Sequence, residues 1–176
     1  DLADAFVNLS SLCEHMHLPL QSGSNRILKR MRRWYSIEEF YEKVNLLRDR
    51  IPTATLSTDL IVGFPGETDE EFDMTMEAIR KIRFDSIYSF KYSPRPGTKA
   101  KKFPDQVSEQ IKSQRLKKLL ETQENIVIEK NKALINSTQE ILIEKKISAE
   151  EKTVSGRSRG NHLVTIQNCD SEVGEL

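Results

Sequence analysis

The chain predicts an α/β fold over residues 1–132, built from three parallel βα units and a connecting helix, followed by a small all-β module over 133–176. Two observations carry this. Short stretches with apolar residues at every second position alternate with longer ones whose apolar residues recur at three and four. After Asn136 the pattern changes to short β-type runs, Gln139 to Glu144 and His162 to Gln167, between loops rich in Ser, Gly, Lys and Arg.

The first extended stretch is Glu14 to Leu20, with Met16, Leu18 and Leu20 at period two, running into the turn-prone Gln21-Ser22-Gly23-Ser24. From Asn25 to Arg50 the spacing of Ile27, Leu28 and Met31, then Phe40, Val44 and Leu47, predicts two helical pieces, the second opened by a Ser36/Glu39 capping box and closed before Pro52. Ala54, Leu56, Leu60 and Val62 share one face of a second strand that ends in Gly63-Phe64-Pro65-Gly66. Thr68 and Glu71 make another capping box, and Phe72, Met76 and Ile79 form the stripe of the helix that follows. Ile87 to Tyr92 alternates as a third strand. Beyond a Pro/Gly-rich loop, Ser93 to Pro104, a charged helix from about Ser108 to Lys132 is expected to turn Ile111, Leu116, Leu119, Gln123 and Val127 inward. Strand–helix alternation of this kind closes into parallel units through right-handed crossovers, in a barrel or an open sheet.

Composition sets limits. The 27 basic and 27 acidic residues cancel, so affinity for a polyanion must come from where charges sit rather than from their sum. Two cysteines, Cys13 and Cys169, are too few for a disulfide framework or a three-cysteine iron–sulfur motif and fit a reducing, cytoplasmic setting. Cys13 is expected as a buried core thiol at the start of a strand. His15 and His17 have the same-face spacing of a metal pair, but no further ligands stand nearby, and no metal site is expected. The longest apolar stretch, Leu60 to Pro65, is far short of a membrane span, and no basic-then-apolar leader opens the sequence. The absence of an initial Met and the polar run at the end suggest a piece of a longer chain.

In parallel βα architectures ligands bind at the C-terminal ends of the strands, which here are Gln21 to Ser24, Asp59 to Glu67 and Tyr92 to Thr98. Three motifs in this order carry a resemblance: His17-Leu18-Pro19-Leu20-Gln21-Ser22-Gly23-Ser24 with Ile27 to Met31 and Arg33; Thr58-Asp59-Leu60-Ile61-Val62-Gly63-Phe64-Pro65-Gly66-Glu67-Thr68; and Tyr92-Ser93-Pro94-Arg95-Pro96-Gly97-Thr98. With Gly156-Arg157-Ser158-Arg159-Gly160-Asn161, the chain resembles the MiaB-type methylthiotransferase family over most of its length. Trp34 departs from that pattern, standing where the family often has a basic residue.

The resemblance implies the second half of a radical S-adenosylmethionine barrel, followed by an incomplete, OB-like TRAM domain. It implies that adenosylmethionine lies across the strand ends, with Gln21 and Ser22 at the ribose and Arg33 on the methionyl carboxylate. Asp59 would then stand near the ribose or amino group, and the backbone of Val62 and Gly63 beside the adenine. It further implies two 4Fe-4S clusters in the full-length protein, with ligands upstream of Asp1 and hence no catalytic residue in this chain. A flavodoxin- or ferredoxin-type reductant and a tRNA substrate are implied as well, with carbon two of an isopentenylated adenosine beside the anticodon receiving a methylthio group. Arg157 and Arg159, in a loop between Gly156 and Gly160, would grip RNA phosphates, and Lys112, Arg115, Lys117 and Lys118 would extend that surface. A threonylcarbamoyl-adenosine methylthiotransferase, a ribosomal-protein methylthiotransferase and a non-enzymatic RNA-binding protein with a degenerate barrel are the other readings. The incomplete module implies a marginally stable, aggregation-prone chain.

Overall fold

The computed structural model describes residues 2–148 and 152–176. Its elements in chain order are α1 (Leu2–Asn8), β1 (His15–His17), α2 (Asn25–Arg30), α3 (Ile37–Arg50), β2 (Thr55–Val62), α4 (Asp69–Ile82), β3 (Ser86–Lys91), α5 (Glu109–Ala133), β4 (Ile141–Ser148), β5 (Thr153–Ser158) and β6 (Leu163–Ile166), with a 3-10 turn at Ala100–Lys102. They form two three-stranded sheets, ordered β1-β2-β3 and β4-β5-β6. Two compact units result, one of His17–Leu46 with Leu56–Ala133, the other of Asp1–Met16, Leu47–Thr55 and Leu134–Leu176.

In the first unit β2 and β3 run parallel, with Asp59 opposite Tyr88 and Ile61 opposite Phe90. Alternation along β2 puts Leu56, Thr58, Leu60 and Val62 on one side, all buried, while Asp59 and Ile61 on the other side are half-buried. Leu20, Ile27, Leu28, Phe72, Met76, Ile79 and Phe84 complete this core, each large apolar side chain contributing on the order of 1.5–3 kcal/mol. The N-terminus of α4 is held by the reciprocal pair expected, Thr68 Oγ1 accepting from Glu71 N–H and Glu71 from Thr68 N–H. Ser36 and Glu39 do the same for α3.

Three expectations are corrected here. The first strand is limited to His15–His17, because Pro19 has no N–H to give and Leu20 N–H turns to Thr58 Oγ1 (2.9 Å) instead. Cys13 therefore lies in the approach to the strand and is exposed, not a core thiol. Helix α5 is rotated from the face read in the sequence: Leu119 and Gln123 point inward as expected, but Lys112, Arg115 and Ile126 join them while Ile111 is exposed. Helix α1 has no counterpart in the expectations.

In the second unit β4, β5 and β6 pair antiparallel, with register shifts between Ile143 and Lys145 and between Lys146 and Ser148. Strand β5 is the other surprise, since the sequence reads Gly156 to Gly160 as a loop whereas Gly156, Arg157 and Ser158 belong to the central strand. Gly156 is required there because a Cβ would lie 2.1 Å from the Leu142 carbonyl oxygen.

Candidate functional site

Within the first unit, the C-terminal ends of the strands open into a cleft of about 1070 Å³, just above the roughly 300–1,000 Å³ usual for small-ligand sites. Its walls come from separate segments: Gln21 after β1, Arg30 to Arg33 after α2, Ile61 and Phe64 at the end of β2, and Phe90, Tyr92 and Arg95 with Lys99 along β3 and the loop beyond.

Gln21 is set in place by the backbone. It bridges to β2 as an isolated parallel step, its N–H donating to the Asp59 carbonyl (2.8 Å) while its own carbonyl accepts from Ile61 N–H (3.0 Å). Its φ of 68° is the left-handed conformation that turns the chain out of the strand line, costly for a non-glycine residue and stable only when neighbours fix it. Arg33 follows α2, tied back by its N–H to the Leu28 carbonyl (2.9 Å), and its exposed side chain borders the same cleft. The fold thus brings Gln21 and Arg33 together. Asp59 is not on the cleft wall; it sits one pleat back from Ile61, accepting from His17 Nε2 at 3.3 Å. Ser22 is fully buried, its Oγ accepting from Ser24 N–H, and Val62 points into the core while its carbonyl accepts from Tyr92 N–H.

Gly63 has a use the sequence did not disclose. Its φ is 69°, its N–H donates to Glu67 Oε2 (2.7 Å), and a Cβ would meet Lys112 Cγ at 2.4 Å. The glycine lets α5 approach the loop. From α5, Arg115 donates to both the Glu67 carboxylate (2.7 Å) and carbonyl (3.1 Å), and Lys112 Nζ donates to the Tyr92 carbonyl (3.1 Å). Two cations expected on an RNA-facing surface are therefore buried struts that hold the ends of β2 and β3, with Arg115 and Lys112 each only 6% exposed. Burial pushes the Glu67 carboxyl above its usual range, against the pull of Gly63 N–H and Arg115. Lys117 and Lys118 do remain on the exposed face, beside Glu121 and Asp73.

Another carboxylate fixes the turn behind Gln21. Glu71 accepts from Ser24 Oγ (2.8 Å), Arg26 Nε (2.7 Å) and Thr68 N–H (3.0 Å). Burial alone would raise its pKa, but these donors win and bring it down to about 2.

Two buried polar atoms on the cleft residues, Tyr92 Oη and Arg30 Nε, have no hydrogen-bond partner among the described residues. Such orphans call for a polar ligand or ordered water. With the Arg33 guanidinium, whose planar fork suits a carboxylate, and the aromatic walls of Phe64 and Tyr92, the donor set fits an amino-acid-bearing nucleoside such as adenosylmethionine. No three His, Cys, Asp or Glu residues converge on a possible metal position among the described residues.

In the second unit Arg159 is engaged on several sides. Its guanidinium donates to Glu14 (2.8 and 3.2 Å), to Glu140 (3.4 Å) and to the carbonyls of Ser10 and Leu12. Arg157 stays exposed, paired with Glu144 at 3.3 Å and hydrogen-bonded to Asn161. No helix among the described residues is long and apolar enough to cross a membrane.

Comparison with known proteins shows what the chain is similar to. Residues 1–79 match the family model described as the Radical SAM superfamily. The same fold appears in the radical SAM enzyme coproporphyrinogen III oxidase from Escherichia coli, at a TM-score of 0.56 and 14% identity over 86% of this chain and 45% of that one. At the finer level, the chain is 45% identical over 99% of its length to a tRNA-2-methylthio-N(6)-dimethylallyladenosine synthase from Pelotomaculum thermopropionicum, and 43% identical over 100% of its length to one from Carboxydothermus hydrogenoformans. These matches bear out the resemblance to the MiaB-type methylthiotransferases that the motifs carry. It spans about two fifths of the length of these curated relatives, 39% and 40% respectively.

Proposed function

We propose that the whole protein of which this chain forms part is a tRNA methylthiotransferase, adding a methylthio group to carbon two of an isopentenylated adenosine next to the anticodon. The observation that carries this reading is the convergence of Gln21 and Arg33 on one cleft at the strand ends, in a chain similar along its whole length to synthases of that name. The threonylcarbamoyl and non-enzymatic readings have no comparable support.

In this reading Arg33 binds the methionyl carboxylate of adenosylmethionine, and Gln21, with Ser22 behind it, meets the ribose. Asp59 acts from one pleat away, and the backbone of Val62 and Gly63 borders the adenine. Adenosylmethionine bound beside an iron–sulfur cluster supplies the radical chemistry; this chain's residues orient it and exclude water. Two 4Fe-4S clusters, held by cysteines outside this chain, and a flavodoxin- or ferredoxin-type reductant complete the system, which works in the cytoplasm. The chain alone is inactive. Its sheet β1-β2-β3 is the second half of the barrel, and β4-β5-β6 is part of a TRAM-type module. There Arg157, exposed and facing one carboxylate, Glu144, is the better placed phosphate contact, since Arg159 would have to release both Glu14 and Glu140.

The test is mass spectrometry of tRNA nucleosides from cells with and without the full-length gene. Loss of methylthio-isopentenyladenosine with accumulation of isopentenyladenosine supports the reading; an unchanged pattern overturns it.

A further inference from the structure

The cleft is large for one small ligand, and its charge is one-sided. Six of its lining residues are basic and none is acidic, in a chain whose overall charge is zero. Two of the six are already engaged, Arg30 bidentate to Asp105 (2.9 Å to each oxygen) and Lys91 to Glu109. Arg32, Arg33, Arg95 and Lys99 are exposed and have no carboxylate partner among the described residues. Arg33 has its use in the reading above. Arg32, Arg95 and Lys99 have none, and they stand together on one cleft.

Trp34 continues directly from Arg33 and is 92% exposed. It is the chain's single tryptophan and packs on no other ring among the described residues. Phe90, on the cleft wall, is 57% exposed. Large apolar rings left in water beside unpaired cations are what a ligand with both charge and planar faces would cover. Single-stranded nucleic acid has both, its phosphates binding the cations while its unstacked bases lie on the rings. A duplex hides its base faces, and an acidic peptide offers none.

We propose that Trp34, with Arg32, Arg95 and Lys99, forms a platform at the rim of the cleft for a single-stranded stretch of RNA, separate from any contact made by the β-module. Trp34 stacks a base, and the three cations hold the phosphates that flank it. This deepens the methylthiotransferase reading and rests on it for the identity of the strand; it explains how an anticodon-loop base is steadied at a cofactor cleft. Trp34, where the resemblance leads one to expect a basic residue, exchanges a phosphate contact for a stacking one.

The test is run on the full-length protein, where the difference in fluorescence between the parent and Trp34→Phe isolates the signal of Trp34. The probe is a short RNA hairpin with unpaired adenosines in its loop. The hairpin is expected to quench the fluorescence saturably, with affinity falling as salt rises. The triple variant Arg32→Ala, Arg95→Ala and Lys99→Ala, with an unchanged thermal transition, flattens the logarithmic salt dependence by about 2, at roughly 0.7 per phosphate released from a single strand. Trp34→Ala, followed by filter binding, weakens the complex about tenfold, as loss of one stacked base does. Fluorescence that the hairpin leaves unmoved, a salt dependence untouched in the triple variant, or equal quenching by a blunt duplex or a polyglutamate peptide overturns the platform. Failure of the function looks different: a whole protein that leaves tRNA nucleosides unchanged sinks the methylthiotransferase reading, whatever the hairpin does.

Discussion

The cations of the cleft and those of the β-module look alike in the sequence and differ in the structure. In the module Arg159 is surrounded by Glu14, Glu140 and two carbonyls, Arg157 faces Glu144, Lys146 faces Glu172, and Lys152 faces Asp170. Around the cleft, Arg32, Arg33, Arg95 and Lys99 have no such partners among the described residues. A third pair, Lys112 and Arg115, lies inside. The lesson is that an Arg-rich motif says little about ligand binding until the fold shows which guanidinium groups are already satisfied. A buried cation that meets a carboxylate, as Arg115 meets Glu67, holds structure; exposed pairs add little, and exposed cations gathered without a carboxylate are open to an anionic ligand.

The largest effect belongs to the buried strut. Arg115→Met leaves the Glu67 carboxylate buried without its counter-charge, so urea denaturation should show a loss of about 3–5 kcal/mol. A variant that unfolds as the parent does would mean that α5 does not hold the loop.

Acid comes next. Glu71 has its pKa depressed to about 2 from 4.5, so its contribution is complete above pH 4.5 and is lost as pH falls towards 2. Stability should drop over that window by at most about 3 kcal/mol, and Glu71→Gln should remove this part of the pH dependence. An identical acid limb in the variant would assign the effect to other carboxylates.

Smaller again is Arg159→Ala. It should lower the thermal midpoint modestly by freeing Glu14, and second-site removal of Glu14 should then have little further effect. Smallest are Arg32→Ala, Arg95→Ala and Lys99→Ala, each expected within about 0.5 kcal/mol of the parent. Should any of these exposed cations prove as costly to remove as Arg115, the distinction between structural and waiting cations would fail.

Much of the first unit is legible in the sequence because its signals are local. Capping boxes at Ser36/Glu39 and Thr68/Glu71 mark helix starts, and alternation along Leu56 to Val62 marks the central strand. What is not legible depends on distant partners. Helix α5 turns Lys112 and Arg115 inward because the Tyr92 carbonyl and Glu67 are there to receive them, which apolar periodicity cannot show. Strand β5 carries a single large apolar residue, Val154, and is fixed by pairing on both edges instead. In the site, Gln21 and Arg33 come from the motif resemblance, whereas Tyr92, Phe90, Arg95 and Lys99 join them only through the fold.

The central claim is that the cleft, and not the β-module, holds adenosylmethionine. The most direct measurement is calorimetric binding of adenosylmethionine to the full-length protein carrying either Arg33→Ala or Arg159→Ala. Loss of a charge-assisted contact to a carboxylate costs about 1.5–3 kcal/mol, so Arg33→Ala should weaken binding by roughly tenfold to a hundredfold, while Arg159→Ala leaves it unchanged. Equal affinities in the parent and the Arg33 variant, or a loss confined to the Arg159 variant, would contradict the account.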